Sequence, residues 1–297
     1  MNRKKIAGSL LLATVLLCGV SLKGGTALAQ TSETQTGETQ AEQEVPKVTG
    51  QIYSCKITED KQNVEIRFST EGDISGTDGK VYVFEQKPYE EELGNRKDYI
   101  ASSQVGESAS KSVSLYLGTE KDRLYSKFIL AVYDGTAFQP VSEPHYITNP
   151  EIVAKNTAEF KDPLTKKGLN IEIDMLEDAF DLGVKHVTTN IAFSQIMGSG
   201  IEYTYDGKVY HFNKEAMDAY DKTISALSGK GMTVTVIILN DWNRNTPDLV
   251  YPGTKKTAKT NYYMFNAATE KGFEQTKAIA SFLAEHYSGN NPNYGKV

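Results

Sequence analysis

The sequence predicts a multidomain protein in which an all-β sandwich is followed by an incomplete α/β barrel of the TIM type. In the first part, apolar and polar residues alternate with a period of two, which is typical of half-buried β-strands. In the second part, apolar runs alternate with helical patterns, which indicates βαβ units and a parallel sheet. The second pattern covers residues 168–297, whereas a closed barrel needs roughly 250 residues. We therefore expect only the first units of a barrel in this sequence.

Residues 1–29 have the three-part layout of a secretory signal peptide. Arg3, Lys4 and Lys5 form a basic start, residues 6–20 are apolar, and residues 27–29 read Ala-Leu-Ala, an A-x-A-like cleavage site. This layout predicts a secreted, extracellular protein without a membrane span in the mature chain. An uncleaved membrane anchor is the alternative, although the apolar stretch is shorter than the roughly 20 residues of a membrane span.

Residues 30–46 are predicted to be a disordered linker. They are rich in Gln, Thr and Glu and contain few apolar side chains. Such a segment cannot bury enough apolar surface to offset the entropy lost on ordering. Cleavage after Ala29 would leave Cys55 as the one cysteine, so no intramolecular disulfide can form. Cys55 lies in an alternating run, which favours a core position; a reactive thiol is the alternative.

Residues 47–150 are predicted to form the sandwich. Val64, Ile66 and Phe68 alternate with charged residues, and β-branched and aromatic runs recur within residues 81–84, 113–117 and 127–133. Gly- and Asp-containing turns separate these runs. About seven short strands in roughly 100 residues are typical of immunoglobulin- or fibronectin III-like sandwiches.

Residues 151–297 are predicted to hold the first βα units. The predicted strands and helices, in that order, are strands 167–171, 184–191 and 232–239, and helices 172–181, 213–228 and 269–287. Between the second strand and its helix, Asp206-Gly207 lies within an alternating run, which is a strong hairpin signal. A fourth strand is expected to begin near Lys296.

Candidate binding residues lie at the ends of two predicted strands, where parallel α/β folds bind ligands. They are Asn190, Asn240, Asp241 and Trp242, and Trp242 is the only tryptophan of the chain. An aromatic plate stacks on the apolar face of a sugar ring, and amide and carboxylate groups pair with its hydroxyls. These residues therefore predict a carbohydrate contact site. The alternative is that Asn and Asp only cap and turn the loops.

Weaker candidates for the same site are Gln195 and Tyr251. His186 lies within a predicted strand and is expected to be structural, and His211 lies on the hairpin. The acidic residues between positions 172 and 181 have the spacing of a solvated helix face rather than of a metal site. The sequence contains no nucleotide-binding or zinc motif, so we expect no cofactor and no metal.

The formal net charge is −6 with both signs well mixed, so no basic cluster indicates binding to nucleic acid. The expected partner is a carbohydrate or polysaccharide. The sequence favours no particular oligomeric state.

Residues from about 167 to 297 resemble a secreted bacterial family, domain-of-unknown-function family 5722. The resemblance lies in two stretches, GVKHVTTNIAFSQIMGSGIEYTYDGKVYHFNKEAMDAYDKTISAL and GMTVTVIILNDWNRNTPDLVYPGT. It implies a (βα)8 barrel similar to the retaining glycoside hydrolases. In those enzymes the acid/base glutamate follows the fourth strand and the nucleophile glutamate ends the seventh. Neither position maps onto this sequence, so no catalytic residue is assigned.

The sequence therefore predicts part of a secreted, glycoside-hydrolase-like protein that acts on or binds polysaccharide. Hydrolysis needs two opposed carboxylates, so we expect this chain to be inactive by itself. Two alternatives stay open: a non-catalytic carbohydrate-binding protein, and a surface adhesin that uses residues 30–46 as a stalk.

Overall fold

The computed structural model describes residues 48–106, 108–155, 165, 167–171, 175–244, 246–257 and 259–297. The predicted signal peptide and linker lie outside these residues. All described residues belong to one compact unit, Val45–Val297. The division predicted at residue 150 stays a prediction. The described residues form mostly β-strands in several sheets, with a few helices.

The N-terminal half of the described residues contains eight strands in two antiparallel sheets. Their bounds are β1 Val48–Ile57, β2 Asn63–Gly72, β3 Lys80–Gln86, β4 Ala101–Gln104, β5 Ala109–Ser114, β6 Lys127–Tyr133, β7 Phe138–Pro140 and β8 His145–Tyr146. One sheet has the order β1-β2-β5, and the other has the order β4-β3-β6-β7 with β8 paired to β6. The comparison with immunoglobulin or fibronectin III domains stays a prediction.

The two sheets share one apolar core. Val64, Ile66 and Phe68 of β2 are fully buried, as the alternation predicts. Leu130 of β6, in the other sheet, packs in the same apolar cluster. Cys55 is also fully buried, and burial raises the pKa of its thiol to about 12. A protonated, inaccessible thiol is unreactive, so the structure favours the core role of Cys55.

Strand β6 is buried on both of its faces, which simple alternation does not predict. Its residues Ile129 and Ala131 point away from the shared core and pack in a second apolar cluster. Phe84 of β3 and Phe138 of β7 complete this cluster, with ring centres 5.0 Å apart. The second sheet is therefore sandwiched between two apolar layers.

The described residues of the C-terminal half form a parallel sheet, a hairpin and four α-helices. The strands are β9 Gly168–Asn170, β10 His186–Ala192, β11 Gly200–Tyr205, β12 Lys208–Asn213 and β13 Thr233–Leu239. The helices are α1 Leu176–Asp181, α2 Phe193–Ile196, α3 Lys214–Gly229 and α4 Glu270–His286. These bounds confirm the predicted strands and helices to within a few residues.

The parallel sheet has the order β13-β10-β9, so its strands are neighbours in chain order. It has three strands, and the described residues do not form a closed barrel. One face packs against the helices through Val187, Ile191 and Val234, which share a core with Ile224 of α3 and Phe282 of α4. The described residues leave the opposite face largely uncovered, and we call it the open face.

The side chains on the open face alternate along each strand with the side chains that pack against the helices. Asn190 pairs in register with Ile237, and Thr188 pairs with Thr235. Ile237 is 46% exposed, although the apolar run of β13 indicated a strand covered on both faces. Only one face of β13 is covered by the described residues.

Local capping fixes the two long helices. The side chain of Asn213 accepts a hydrogen bond from the Ala216 amide at 3.2 Å, and that of Thr269 accepts one from the Gly272 amide at 3.2 Å. Both caps satisfy backbone donors that have no partner inside the helix. The predicted N-cap of α3 is confirmed.

The prediction of a fourth parallel strand near Lys296 is wrong. Lys296 forms an isolated antiparallel bridge with Ser288, so the segment folds back toward the end of α4. Gly295 makes the return possible, because it has a φ of +83° and a Cβ there would lie 2.6 Å from the Ser225 nitrogen. A side chain cannot fit so close to α3, and only glycine adopts this conformation without strain.

The predicted hairpin is confirmed and has a structural role. Its turn, Asp206-Gly207, has positive φ at both residues, as a type I′ turn requires. The tip lines a cleft together with Tyr125 of the antiparallel half. The ammonium of Lys277 on α4 lies 3.2 Å from the Asp206 carboxylate.

No helix within the described residues is long and apolar enough to cross a membrane.

Candidate functional site

The candidate site lies at the carboxyl ends of β10 and β13. The two strands run parallel with Ala192 opposite Leu239, so their ends lie side by side. The chain leaves β13 through Asn240, Asp241 and Trp242 and returns along the loop 250–266. This loop brings residues that are distant in sequence to the same edge of the sheet.

Asn240 is a buried anchor for this loop. It is 2% exposed, and its amide nitrogen donates to the carbonyls of Leu249 at 2.8 Å and Met264 at 3.1 Å. Its backbone carbonyl accepts from the Tyr263 amide at 2.8 Å. These bonds tie the loop to the strand end, so Asn240 positions the site and does not present its side chain to a ligand.

Asp241 connects the two strand ends. Its carboxylate accepts a hydrogen bond from the Ser194 amide at 2.9 Å and another from the Ser194 hydroxyl. Ser194 follows β10 in the first turn of α2. Asp241 also forms an isolated antiparallel bridge with Tyr262 of the loop. The carboxylate is only partly exposed, and both of its oxygens are already used within the protein.

Trp242 is half-buried and holds a cation on its ring. The ammonium of Lys256 lies 3.9 Å from the ring centre. The sequence did not indicate this contact, because fourteen residues separate the two positions. A cation at this distance from an indole face is attracted by the ring quadrupole, but the attraction is worth only about 0.5–1 kcal/mol at an exposed site.

Further apolar side chains are exposed on the loop that follows β13. Tyr251 is 43% exposed, Tyr262 52% and Met264 73%. Phe265 packs against Phe193 of α2, with ring centres 5.3 Å apart. The strand end therefore offers several partly exposed aromatic faces in addition to the single indole.

Asn190 lies on the open face of the parallel sheet. Its side chain is exposed, and its register partner is Ile237. The structure thus places Asn190 and Asp241 near the ends of neighbouring strands. Asn190 is free to present its amide to a ligand on the open face, whereas Asp241 is held by Ser194.

The weaker candidates have local roles. Gln195 accepts a hydrogen bond from the Tyr220 hydroxyl of α3. His186 lies inside β10, and its buried Nε2 has no partner among the described residues. His211 lies on the exposed hairpin, 4.0 Å from Glu202. The structure shows no contact between any of these three side chains and the described residues at the end of β13.

A cleft lies elsewhere, between the antiparallel part and α4. It has a volume of about 610 Å³ and is lined in part by Tyr89, Tyr125 and Phe273. Its charges are largely matched within the protein, since Lys208 pairs with Glu274 and Lys277 pairs with an aspartate. We therefore describe it as the junction of the two halves rather than as the ligand site.

The described residues contain no group of three or more His, Cys, Asp or Glu side chains arranged to hold a metal ion. The chemistry that the strand ends offer is hydrogen bonding, aromatic stacking and positive charge.

Residues 159–297 match the model of a family of unknown function, DUF5722. This match confirms the resemblance seen in the sequence. A comparison with curated proteins gives no significant match.

Among solved structures, the chain is similar to a beta-glucuronidase from an uncultured Clostridium species, at 13% identity and a TM-score of 0.21. The alignment covers 84% of this chain and 36% of that chain, so this chain spans about a third of its length. A similarity at this TM-score supports no conclusion about fold or function.

Proposed function

We propose that the carboxyl ends of β10 and β13 form the carbohydrate-contacting edge of a secreted, glycoside-hydrolase-like protein. The observation that carries this proposal is the placement of Trp242, the only tryptophan, at the end of a parallel strand among partly exposed aromatic side chains. A sugar ring stacks its C–H face on such a plate. Asn190 supplies donors and acceptors for the hydroxyls.

The architecture supports the barrel part of the proposal. Strands β9, β10 and β13 are parallel neighbours in chain order, and α1, α3 and α4 share one core on one face of the sheet. The first units of a (βα)8 barrel have this arrangement, with helices outside and the opposite face turned inward. Asn190 would then point into the barrel. The antiparallel half would be an immunoglobulin-like companion module.

For this chain, the proposed role is binding rather than bond cleavage. Retaining hydrolysis needs two carboxyl groups roughly 5–5.5 Å apart on either side of the scissile bond. Asp241 is the first acidic residue after β13, and both of its oxygens bond to Ser194. Asp248, the next one, pairs with Lys271. We therefore propose that Asp241 shapes the edge and that Trp242 and Asn190 contact the sugar.

The test is binding of the full chain to insoluble plant and bacterial polysaccharides in a pull-down assay. We expect Trp242→Ala to weaken binding by about five- to 150-fold, because loss of the aromatic partner of a stacked nucleobase, a comparable contact, costs about 1–3 kcal/mol. Tyr53→Ala is the matched control, since Tyr53 is a 50% exposed aromatic residue of β1.

Three outcomes decide between the proposals. If the wild-type chain binds none of the polysaccharides, the carbohydrate role is refuted. Loss of binding with Tyr53→Ala alone would place the site on the antiparallel half, as a binding module or adhesin. Release of reducing sugar from the bound polysaccharide would refute the assignment of binding without cleavage.

A further inference from the structure

The loop that follows β13 has a charge opposite to that of the whole chain. The protein carries a formal net charge of −6. Residues 240–266 contain four basic and two acidic side chains, so this segment is positive. The basic residues are Arg244, Lys255, Lys256 and Lys259. A local positive field on an acidic protein needs an explanation beyond solubility.

The two acidic residues of the segment do not neutralise the four bases. Asp241 is held by Ser194. Asp248 pairs with Lys271 of α4 at 2.8 Å. Both carboxylates are thus engaged by partners that lie outside the group of four basic side chains.

The four basic side chains are exposed, and none of them forms an ion pair with a carboxylate among the described residues. Lys208, Lys214 and Lys277 of this half each have an acidic partner. The segment that follows β13 carries four exposed basic side chains without such a partner among the described residues.

Lys256 links this charge to the aromatic plate. Its ammonium lies 3.9 Å from the centre of the Trp242 ring. Any sugar that stacks on this face must displace the ammonium from above the ring. A sugar that carries a carboxylate or sulfate can form an ion pair with the displaced ammonium, whereas a neutral sugar offers no such compensation.

We propose that the strand-end site takes an anionic glycan, with Trp242 stacking on a sugar ring and Lys256 pairing with its acidic group. Arg244, Lys255 and Lys259 attract the neighbouring anionic residues of the polymer. This inference rests on the proposed carbohydrate role and specifies the charge of the ligand.

The test is a fluorescence titration of the full chain, in which the only tryptophan reports directly from the site. The ligands are an oligogalacturonide, a sulfated galactan oligosaccharide and a neutral galactan oligosaccharide of equal length. We expect the anionic ligands to bind about tenfold more tightly at low salt, with the difference reduced at high ionic strength because salt screens exposed charges. The two anionic arms separate carboxylate from sulfate recognition.

The variant Lys256→Gln removes the charge and keeps the length of the side chain similar. We expect it to weaken anionic binding about tenfold and to leave neutral binding equal or tighter. Lys222→Gln, on the exposed surface of α3, is the matched control and should change neither. The double variant Lys255→Gln/Lys259→Gln, which does not touch the indole, should weaken anionic binding in the same direction.

The outcomes separate the two proposals. Equal affinity for neutral and anionic ligands, or an unchanged anionic affinity in Lys256→Gln, overturns the inference and leaves the carbohydrate role standing. Binding to none of the three ligands, together with a failed polysaccharide pull-down, overturns both.

Discussion

The ammonium of Lys277 lies 5.3 Å from the ring centre of Tyr125, and this contact joins the two halves of the molecule. Lys277 belongs to α4, whereas Tyr125 precedes β6 in the antiparallel half. The rings of Tyr205 and Phe273 lie 5.4 Å and 5.8 Å from the same ammonium. Asp206 at the hairpin tip supplies the counter-charge. One lysine therefore holds a helix, a hairpin and a loop together.

Replacing Lys277 by Met should destabilise the fold while preserving most of the side-chain volume. A partly desolvated cation over aromatic rings contributes about 1–2 kcal/mol, and its loss also leaves Asp206 without its partner. Urea unfolding measures the difference. Lys222→Met, at an exposed position of α3, should change stability by less than about 0.5 kcal/mol. Equal stability of the two variants would show that the junction does not depend on this charge.

Glu85 on β3 should make stability depend on pH. Burial opposes its ionisation, but hydrogen bonds from Lys87, Arg123 and Ser126 outweigh burial and lower the pKa of the carboxyl below its usual value. The Nζ of Lys87 and the Nε of Arg123 lie 2.6 Å and 2.7 Å from its oxygens. A lowered folded-state pKa stabilises the fold above the unfolded pKa, and this contribution is lost as pH falls through the folded pKa.

We therefore expect Glu85→Gln to cost about 3 kcal/mol at pH 7, because it leaves partly buried cations without a counter-charge. The penalty should shrink as pH falls through the lowered folded-state pKa, where the wild-type carboxyl also takes up a proton. Urea unfolding at several pH values measures it. Glu59→Gln, at an exposed turn, is the control. A penalty that stays constant down to acidic pH would contradict the role of the ionised carboxylate.

Asp221 of α3 and His286 at the end of α4 form a buried pair. The His286 Nε2 lies 2.8 Å from the Asp221 carboxylate, and the two side chains are 8% and 10% exposed. Tyr294 of the returning C-terminal segment stacks on the imidazole, with ring centres 3.8 Å apart. The pair therefore connects both helices and the final turn.

Asp221→Ala and His286→Ala should each cost about 3 kcal/mol, because each leaves a buried polar partner unsatisfied. The double variant should cost clearly less than the sum of the single losses. Thermal and urea unfolding of the wild type, the two single variants and the double variant complete this double-mutant cycle. Additive losses would indicate that the two side chains contribute independently, contrary to the contact that the structure shows.

Asn240→Leu should loosen the loop 250–266 without unfolding the sheet. The change removes two hydrogen bonds, to the carbonyls of Leu249 and Met264, at a cost of about 1–3 kcal/mol. Limited proteolysis should then cut this loop faster than in the wild type. Asn190→Leu is the control, because its side chain is exposed and its loss frees no loop carbonyl. Identical cleavage rates in both variants would contradict the anchoring role of Asn240.

The sequence determined most of the local structure. The alternation of Val64, Ile66 and Phe68 predicted a strand with one buried face, the Asp206-Gly207 pair predicted the hairpin, and Asn213 predicted the start of α3. Each of these features depends on neighbours within a few residues, because backbone preferences, capping and side-chain periodicity are short-range effects.

The candidate site was predicted only in part. The sequence located Trp242 and Asp241 at a strand end, because parallel strands have a recognisable apolar pattern. It did not indicate that Asn240 is buried under its own loop, that Ser194 holds Asp241, or that Lys256 covers Trp242.

Only the tertiary structure decided these contacts. Ser194 and Asp241 lie 47 residues apart, and Asp221 and His286 lie 65 residues apart. Partners at such separations are chosen by the register of the sheet and the packing of helices on one of its faces, which no local pattern encodes. The sequence therefore determined which residue types reach the strand ends, and the folded chain determined which of them stay free for a ligand.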